Sequence, residues 1–399
     1  MMNGNSPHAH TSSAPAADLI CLSHLRWNFV FQRPQHLMSR YALSRRVYFV
    51  EEPIFLDQLT TATVTMEPHG HLLVVTPQLP ASFNPTQILA AQRSLLSQLI
   101  AAETIQHYVL WYYTPQALRF SDHLKPDAVV YDCMDELSAF KNADPALPRL
   151  ERELMRRADL VFTGGQSLFE AKQDQHHNIH ALPSSVDVAH FSTARRSQDE
   201  PVDQRAIPHP RLGFFGVLDE RLDISLLRGV AEARPEWQIV MIGPVVKIDP
   251  DDLPRLPNIH YLGPKKYDEL PRYLAGWDVA LLLFARNEAT KYISPTKTPE
   301  YLAAGRPVVS TSIRDVVKPY GEMGLVRIAD AVPDFVAACD GALTEPPARR
   351  RDQADAFLRN MSWDRTWGTT AILLKAVLDR EEQPVHVSVN KSTGLSLGA

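Results

Sequence analysis

The chain has 399 residues, of which 45% are hydrophobic and 22% are charged, and its formal net charge at pH 7 is −5. This length suits two domains or one large one, and the balanced charge argues against a protein that holds nucleic acid by bulk positive charge. The three cysteines are far apart, which argues against a disulfide framework or a cysteine-rich zinc site and favours a reducing, cytoplasmic compartment.

Both ends of the chain are small and polar, which predicts disorder rather than a signal peptide or an anchor. The polar, proline-containing stretch from Ser192 to Pro210 has no periodicity and divides the rest into halves of similar weight. We therefore predict a disordered arm at 1–17, a first domain at 18–195, a linker at 196–209, a second domain at 210–361, a helix at 362–382 that crosses back to the first domain, and a disordered tail at 383–399.

In both halves, short apolar runs alternate with helical patterns, which predicts an α/β fold with two doubly wound parallel sheets facing each other across a cleft. The last helix is amphipathic and has Ser362 as its cap. The first half has predicted strands at 19–24, 46–52, 71–77, 108–113, 128–134 and 159–165, and helices at 33–44, 85–104, 145–157 and 167–175. The second half has predicted strands at 211–216, 237–243, 259–263, 278–284 and 307–312, and helices at 223–233, 267–275, just before Gly305, and at 332–343.

Polar and aromatic side chains directly follow the first predicted strand. Because ligands of doubly wound sheets bind outside the carboxyl ends of the strands, we expect these side chains to shape a sugar pocket. His24 is a candidate catalytic group among them, and a loop histidine without a chemical role is the alternative. The residues are His24, Arg26, Trp27, Gln32 and Arg33.

Three carboxylates, Asp132, Asp135 and Glu136, follow the strand predicted at 128–134. Clustered carboxylates raise one another's pKa, which suits general acid or base catalysis. Asp135 lies past the expected end of the strand and is freer to point into the cleft. Asp132 is the second catalytic candidate, with a cap or a backbone contact as its alternative role.

A glycine-containing loop opens the second half, where Gly216 ends a strand and Arg221 precedes a helix with Asp223 as its cap. A main chain that a phosphate can approach closely, with a cation beside it, suits a pyrophosphate. An ordinary strand-to-helix turn is the alternative. Gly243 ends the next strand and is a weaker candidate of the same kind.

The strongest signal is the segment at 292–311, which has the pattern of a loop, a short helix stopped at Gly305, and a buried strand. The helix cap is either Ser294 or Thr298, each of which is followed by a proline.

In either case, the first helical turn and Lys297 would form an anion site suited to a diphosphate. Glu300, one turn later, can accept two hydrogen bonds from a ribose diol. The alternative is a surface helix that carries an ordinary lysine–glutamate pair.

The segment SPTKTPEYLAAGRPVVST, at 294–311, resembles the donor-site segment of GT-B glycosyltransferases. It is most similar to the bacterial family 4-like and family 1 group, which includes cell-wall and exopolysaccharide enzymes. SHLRWNFVFQRPQHL, YDCMDEL and FFGVLDERLD resemble other segments of that group, and the resemblance extends from about Leu19 to Leu378. It implies a GT-B fold and a transferase of polysaccharide biosynthesis in the cell envelope.

The resemblance also implies a nucleotide-sugar donor, with a UDP-sugar favoured, bound mainly by the second domain, and a glycan or lipid-linked acceptor bound mainly by the first. For a reaction of this kind we expect no required metal or other cofactor, and the balanced charge argues against a nucleic-acid partner. The implied location is cytoplasmic, and peripheral contact with the inner face of the membrane is left open. Lys297 would contact the donor phosphate and Glu300 the ribose, while Gly216 and Arg221 would flank the diphosphate. The remaining donor-side candidates are Gly243, Ser294 and Thr296.

One position departs from the family pattern. Retaining family 4 enzymes carry two glutamates eight positions apart; Glu300 matches the second, but Tyr292 occupies the place of the first. Inverting enzymes with a similar site use an aspartate of the first domain as the base, for which Asp135 is the candidate. Two other functions stay open, namely epimerisation of a nucleotide sugar and nucleotide-sugar binding without catalysis.

Overall fold

The computed structural model describes residues 17–196 and 199–381, and only the main chain of 347–349 and 381. The predicted disordered tail, and the predicted arm apart from Ala17, lie outside the described residues. The rest of the chain forms two units, each built on one β-sheet, which we call the first and second domains.

The first domain contains a nine-stranded sheet in the order β3-β5-β2-β1-β6-β7-β8-β9, with β4 paired to β5. All pairings are parallel except that of β4 with β5. Its strands are β1 (Asp18–Leu22), β2 (Val47–Val50), β3 (Ile54–Leu56), β4 (Thr63–His69), β5 (Leu72–Pro80), β6 (Tyr108–Tyr112), β7 (Ala128–Cys133), β8 (Leu160–Thr163) and β9 (Ile179–Ala181).

Burial explains which of these strands the sequence could predict. Strands β2, β6 and β8 are buried along their whole length, as in a parallel sheet covered on both faces, and they have continuous apolar sequences. Strand β4 is almost entirely exposed and polar, so it carries no apolar signal. Its antiparallel pairing with β5, through a turn at Gly70 (φ +67°), corrects the prediction of a purely parallel sheet.

The second domain contains a six-stranded, fully parallel sheet in the order β12-β11-β10-β13-β14-β15. This is the strand order of doubly wound nucleotide-binding sheets, in which the order reverses beside the first strand. The strands are β10 (Arg211–Phe215), β11 (Gln238–Ile242), β12 (Ile259–Gly263), β13 (Val279–Leu282), β14 (Val308–Ser310) and β15 (Arg327–Ile328).

Fourteen helices cover the sheets within the described ranges. Helix α13 was not predicted, because only a thin stripe of its described side chains, Arg350, Ala354 and Leu358, is buried. The helices are α1 (Arg33–Tyr41), α2 (Pro85–Ala102), α3 (Leu118–Ser121), α4 (Leu147–Arg157), α5 (Gln166–Lys172), α6 (Val188–Ser192), α7 (Val202–Arg205), α8 (Ile224–Ala233), α9 (Leu270–Ala275), α10 (Lys297–Ala303), α11 (Arg314–Val316), α12 (Val332–Thr344), α13 (Pro347–Leu358) and α14 (Trp363–Glu381).

The described part of the predicted linker packs on the second domain. Gln204, in α7, is buried; it accepts a hydrogen bond from Trp277 Nε1 (2.9 Å) and donates to the carbonyl oxygen of Tyr273 (3.0 Å). The polar stretch therefore contains ordered structure that its lack of periodicity did not indicate. The domain boundaries near residues 195 and 210 remain predictions.

Helix α14 crosses back to the first domain, as predicted. Trp363, Leu374 and Val377 belong to the apolar core of that domain, and Thr370 accepts a 2.9 Å hydrogen bond from the hydroxyl of Tyr41. Ser362 accepts a 3.2 Å hydrogen bond from the main-chain N–H of Arg365, which confirms it as the cap.

The two domains also meet at the beginning of α5. The carboxylate of Asp315, from the second domain, accepts a hydrogen bond from the main-chain N–H of Ser167 (3.0 Å). Next to it, Arg314 pairs with Glu170 at 2.6 Å. A Cβ on Gly165 would overlap the Asp315 carboxylate, so the close approach of the domains requires glycine there.

Candidate active site

The second domain presents a close packing of Lys297 on Gly216 at the carboxyl end of β10. A Cβ on Gly216 would overlap Cε of Lys297 and lie 2.7 Å from its Nζ, and Gly216 has φ +142°. Gly243, at the end of β11, also has φ +142°, and a Cβ there would overlap the carbonyl oxygen of Gly216. Gly216 therefore leaves room for the lysine, and Gly243 leaves room for the main chain of Gly216, at the point where the strand order reverses.

Lys297 and Glu300 lie three residues apart on α10, with Glu300 buried and Lys297 half-buried. Burial, followed by the nearby Arg221 guanidinium, lowers the pKa of Lys297, while Glu300 opposes that shift. Burial raises the pKa of Glu300, and Lys297 opposes it. An anion placed beside Lys297 would favour its charged form, so the site is suited to take up a phosphate.

The start of α10 differs from both predicted alternatives. The helix begins at Lys297 and ends at Ala303, and Thr296 occupies the cap position without a side-chain hydrogen bond. Neither Ser294 nor Thr298 caps it, because Pro299 fits the first helical turn, where its missing N–H has no intrahelical partner to lose. Ser294 lies instead where a Cβ on Gly165 of the first domain would be 2.7 Å from its own Cβ.

Arg221 lies between an acidic partner and the first domain. It pairs with Asp219 at 2.6 Å, and its guanidinium carbon lies 5.5 Å from the centre of the Phe140 ring. Lys247 approaches the same ring, with Nζ 5.2 Å from its centre. Phe140 of the first domain thus contacts two cations of the second, which brings the loops after β7, β10 and β11 together.

Asp135 is the carboxylate that faces this junction from the first domain. Burial raises its pKa to about 6; Arg221, Lys297 and Arg33 oppose the rise, and Asp219 adds to it. These charges come from both domains, so Asp135 is near enough to the junction to be influenced by both, and its role as a catalytic base stays a prediction. A carboxylate with such a pKa can accept a proton near neutral pH.

His24 lies near the same cleft and is uncharged at pH 7. Burial, followed by the positive charge of Lys247, lowers its pKa to about 4. Its Nδ1 atom is buried and has no hydrogen-bond partner among the described residues. A neutral imidazole can hydrogen-bond a sugar hydroxyl, and its catalytic role stays a prediction.

Three of the predicted first-domain residues have internal partners instead. Arg33 and Asp132 are fully buried and pair with each other, with Nη2 and Oδ1 2.9 Å apart, and Arg33 also donates to the carbonyl oxygen of Leu182 at 2.7 Å. Arg26 pairs with Glu51 at 3.1 Å. These partners make a purely structural role the simpler interpretation, and the catalytic role of Asp132 and the sugar contacts of Arg26 and Arg33 stay predictions.

Trp27 and Gln32 shape the loop that leads into α1. The ring of Trp27 packs edge-on against Phe49, with centroids 5.0 Å apart, and its main-chain N–H donates to Glu51 at 2.6 Å. The main-chain N–H of Gln32 donates to the side chain of Gln35 at 3.1 Å. Sugar contacts by the half-buried side chains of Trp27 and Gln32 remain predictions.

Sequence reasoning missed Lys247 and Phe140. Lys247 has φ +64°, an uncommon value for a lysine, and nothing in the loop sequence marks it. The sequence did single out Tyr292, which packs against the core of the first domain with Lys291 Nζ 5.3 Å from its ring centre. Tyr292 therefore contributes to the contact between the domains.

The described part of the chain contains neither a cluster of metal ligands nor a helix suited to cross a membrane. Across 17–196 and 199–381, no group of three or more His, Cys, Asp or Glu side chains could hold a metal ion. In the same ranges, no helix has both the length and the apolar character needed to span a membrane.

Comparison with known proteins shows what the chain is similar to. Residues 209–345 match the family model for "Glycosyl transferases group 1". The chain is 26% identical over 255 residues to a protein of Bacillus subtilis (strain 168) named for a teichuronic acid biosynthesis glycosyltransferase, TuaH. That match covers 59% of this chain and 63% of the relative, so it leaves more than a third of the relative unmatched.

Solved structures show the same fold across most of the chain. Sucrose-phosphate synthase from Thermosynechococcus elongatus matches with a TM-score of 0.67 and 13% identity, over 91% of this chain and 100% of that one. The E. coli trehalose-6-phosphate structure bound with UDP-2-fluoro glucose matches with a TM-score of 0.65 and 12% identity, over 91% and 99%. Anabaena Alr3699/HepE, in complex with UDP, matches with a TM-score of 0.60 and 14% identity, over 90% and 100%.

The GT-B resemblance and the two doubly wound domains inferred from the sequence are thus confirmed. The chain has the GT-B fold, and its residues 209–345 match the family model of the group 1 glycosyl transferases.

Proposed function

We propose that the protein transfers a sugar from a nucleoside diphosphate sugar, with a UDP-sugar favoured, to a hydroxyl group of an acceptor held between its domains. The observation that carries this proposal is the packing of Lys297 on Gly216 at the reversal of the strand order, opposite Asp135. The family of the second domain and the UDP ligands of two structural neighbours support it.

In the reaction, the acceptor oxygen attacks the anomeric carbon, and the bond from that carbon to the diphosphate oxygen breaks. Lys297 stabilises the charge that develops on the leaving diphosphate, with Arg221 beside it. Glu300 accepts hydrogen bonds from the ribose, and the main chain at Gly216 and Gly243 lets the diphosphate approach. Ser294 and Thr296 remain donor-side candidates beside Lys297.

Asp135 takes the proton of the attacking hydroxyl, which makes the reaction an inversion at the anomeric carbon. Two observations support this step: Asp135 faces the cleft with a raised pKa, and Tyr292 replaces the first glutamate of the retaining pattern and packs on the first domain. NMR of the product anomer tests this step directly, and a retained configuration would contradict it.

The finer features of the proposal concern the acceptor and the location. We propose a glycan or lipid-linked acceptor bound mainly by the first domain, no requirement for a metal, and action at the cytoplasmic side of the cell envelope, with or without peripheral membrane contact. Turnover in the presence of EDTA tests the metal, and sedimentation with phospholipid vesicles tests the membrane contact.

The decisive experiment is a thermal-shift screen of the full chain with UDP, GDP, ADP and dTDP, followed by turnover assays with the matching sugar donors. We expect one nucleotide to stabilise the protein by about 2.7 kcal/mol at 100 times its Kd. Isomerised donor without acceptor would point to an epimerase, and tight binding without turnover would point to a binding protein. No stabilisation by any nucleotide would contradict the proposal.

A further inference from the structure

The first domain contains a pocket outside the donor machinery just described. Its volume is about 390 Å³, and it lies at the carboxyl ends of β1, β2 and β6. Strand β7, which leads to Asp135, is the next neighbour of β6 in the sheet. The pocket and Asp135 are therefore at the same edge of the sheet, one strand apart.

Most of the pocket wall is apolar. Helix α2 supplies Ile88 and Leu89, and Val50, Phe55 and Phe120 line the rest of this surface. Only Leu96 and Leu99 of the 18 residues of α2 are fully buried, so the first half of the helix leaves apolar side chains facing the pocket instead of the core.

The charged groups of the wall are largely satisfied already. Glu51 accepts hydrogen bonds from Arg26 (3.1 Å), from the main chain of Trp27 (2.6 Å) and from Thr76 (3.0 Å). Arg119 pairs with Asp144 at 2.8 Å. Ser23, Thr114 and Gln116 also make hydrogen bonds within the first domain. Of the polar wall residues, Glu52 and Gln92 are left without a side-chain hydrogen bond among the described residues, so the pocket suits a mainly apolar occupant.

The mouth of the pocket carries exposed apolar residues on one side and charge on the other. Phe55 is 47% exposed and its neighbour Ile54 is 38% exposed. On the side of the cleft, Glu52 lies close enough to Lys247 of the second domain for that cation to influence its pKa, which burial raises. A molecule in the pocket can thus have an apolar end toward α2 and a polar end toward the cleft.

We propose that this pocket binds the hydrocarbon chain of a lipid-linked acceptor, with the accepting sugar directed toward Asp135. The inference rests on the proposed function, because it names the acceptor class for the same reaction. The pocket then selects acceptors by burying the first carbons of the chain, and the exposed Phe55 and Ile54 continue the apolar surface out of the pocket.

The test compares two glucosides that differ only in their chain. Binding of octyl β-glucoside, below its micelle concentration, and of methyl β-glucoside to the full chain is measured by calorimetry. We expect the octyl compound to bind at least about tenfold more tightly, because its additional methylene groups leave water. Equal affinities would overturn the proposal and indicate a saccharide acceptor without a lipid.

Substitutions in the pocket test whether the octyl chain binds there. Phe55→Ser removes part of the mouth, and Leu89→Trp fills the pocket while keeping it apolar; both should remove the preference for the octyl chain. Leu43→Ser, at a residue of the same domain that is 80% exposed and outside the pocket, is the matched control and should keep the preference. A preference that survives in both pocket variants would show adsorption elsewhere and overturn the proposal.

Binding of UDP is measured for every protein in the series. It checks that each variant is folded, and it separates the two proposals. If the unmodified chain binds UDP but shows no octyl preference, only the lipid inference fails. If it binds none of the four nucleotides, the proposed transferase function fails as well.

Discussion

The two faces of the cleft use their charged residues in different ways. On the first domain, Arg33 and Asp132 neutralise each other, and Arg26 neutralises Glu51, so these groups stabilise loops. On the second domain, burial disfavours the charges of Lys297 and Glu300, which are held at the site without such close pairing. Pairing alone does not separate the two faces, because Arg221 on the second domain also pairs with Asp219; what differs is Lys297, which has no ion-pair partner among the described residues.

The largest effect should come from Asp135, the proposed base on the first face. Asp135→Asn should lower kcat by about 10²- to 10⁴-fold while leaving UDP affinity nearly unchanged, because only proton transfer is lost. In the unmodified protein, kcat should fall as the pH drops through about 6, where the base becomes protonated. A kcat that stays level from pH 7.5 to 5 would contradict this role.

Asp135→Asn should lower activity but raise the stability of the folded protein at neutral pH. Because burial raises the pKa of Asp135 above that of a free aspartate, its charge costs the folded state free energy at pH values above about 6. Asp135→Asn should therefore raise Tm at pH 7.5. At pH 4 it should leave Tm nearly unchanged, because in the folded protein the side chains of Asp135 and of its asparagine replacement are then both neutral. An equal change at both pH values would assign the effect to packing instead.

Lys297→Ala tests the second face. Loss of the cation beside the leaving diphosphate should lower turnover by about 10²- to 10³-fold and weaken UDP binding. It should not lower Tm, since the buried charge is not stabilising in the absence of an anion. Lys291→Ala, in the same loop with a side chain that is 54% exposed, is the matched control. Equal activity of the two variants would remove Lys297 from the mechanism.

Asp132→Asn should lower stability and leave UDP binding unchanged, which is the reverse of the result expected for Lys297→Ala. It leaves the Arg33 guanidinium buried without its counter-charge, which should cost about 3 kcal/mol of unfolding free energy, while the folded protein keeps its affinity for UDP. Urea unfolding measures the loss, and Asp364→Asn, whose side chain is 80% exposed, serves as the control. A catalytic defect in an equally stable variant would support the catalytic role that the sequence predicts for Asp132.

Gly216→Ala should produce the smallest of these effects. The new Cβ would overlap Lys297, so the lysine must move, and we expect UDP affinity to fall by about tenfold, equivalent to about 1.4 kcal/mol. Gly263→Ala is the control, because Gly263 also has a positive φ (+69°) but nothing lies within 4 Å of its Cβ position. Equal losses in both variants would mean that backbone strain, and not the lysine, is responsible.

The separation of the residues along the chain explains which parts of the site the sequence could predict. Lys297 and Glu300 are three residues apart on one helix, so a local motif was enough to find them. Arg33 and Asp132 are 99 positions apart, and no local pattern shows that they meet. Lys247 and Phe140 come together only when the domains do, and neither belongs to a motif.

For the fold, apolar content decided what was predictable. The buried strands of both sheets were found because they are covered on both faces, whereas β4 and α13 bury too little to leave a pattern. The second sheet was predicted nearly completely, although the two-residue strand β15 was too short to recognise.

The contact at the beginning of α5 offers a way to measure how the two domains open and close. The N–H of Ser167 belongs to the first turn of α5, where no carbonyl of the helix is available to accept its hydrogen bond. Its acceptor is the carboxylate of Asp315, in the other domain. Its proton is shielded from solvent deuterium only while the domains remain together. The exchange rate of that single amide thus reports the opening of the cleft, and it should slow whenever a bound donor holds the halves closed.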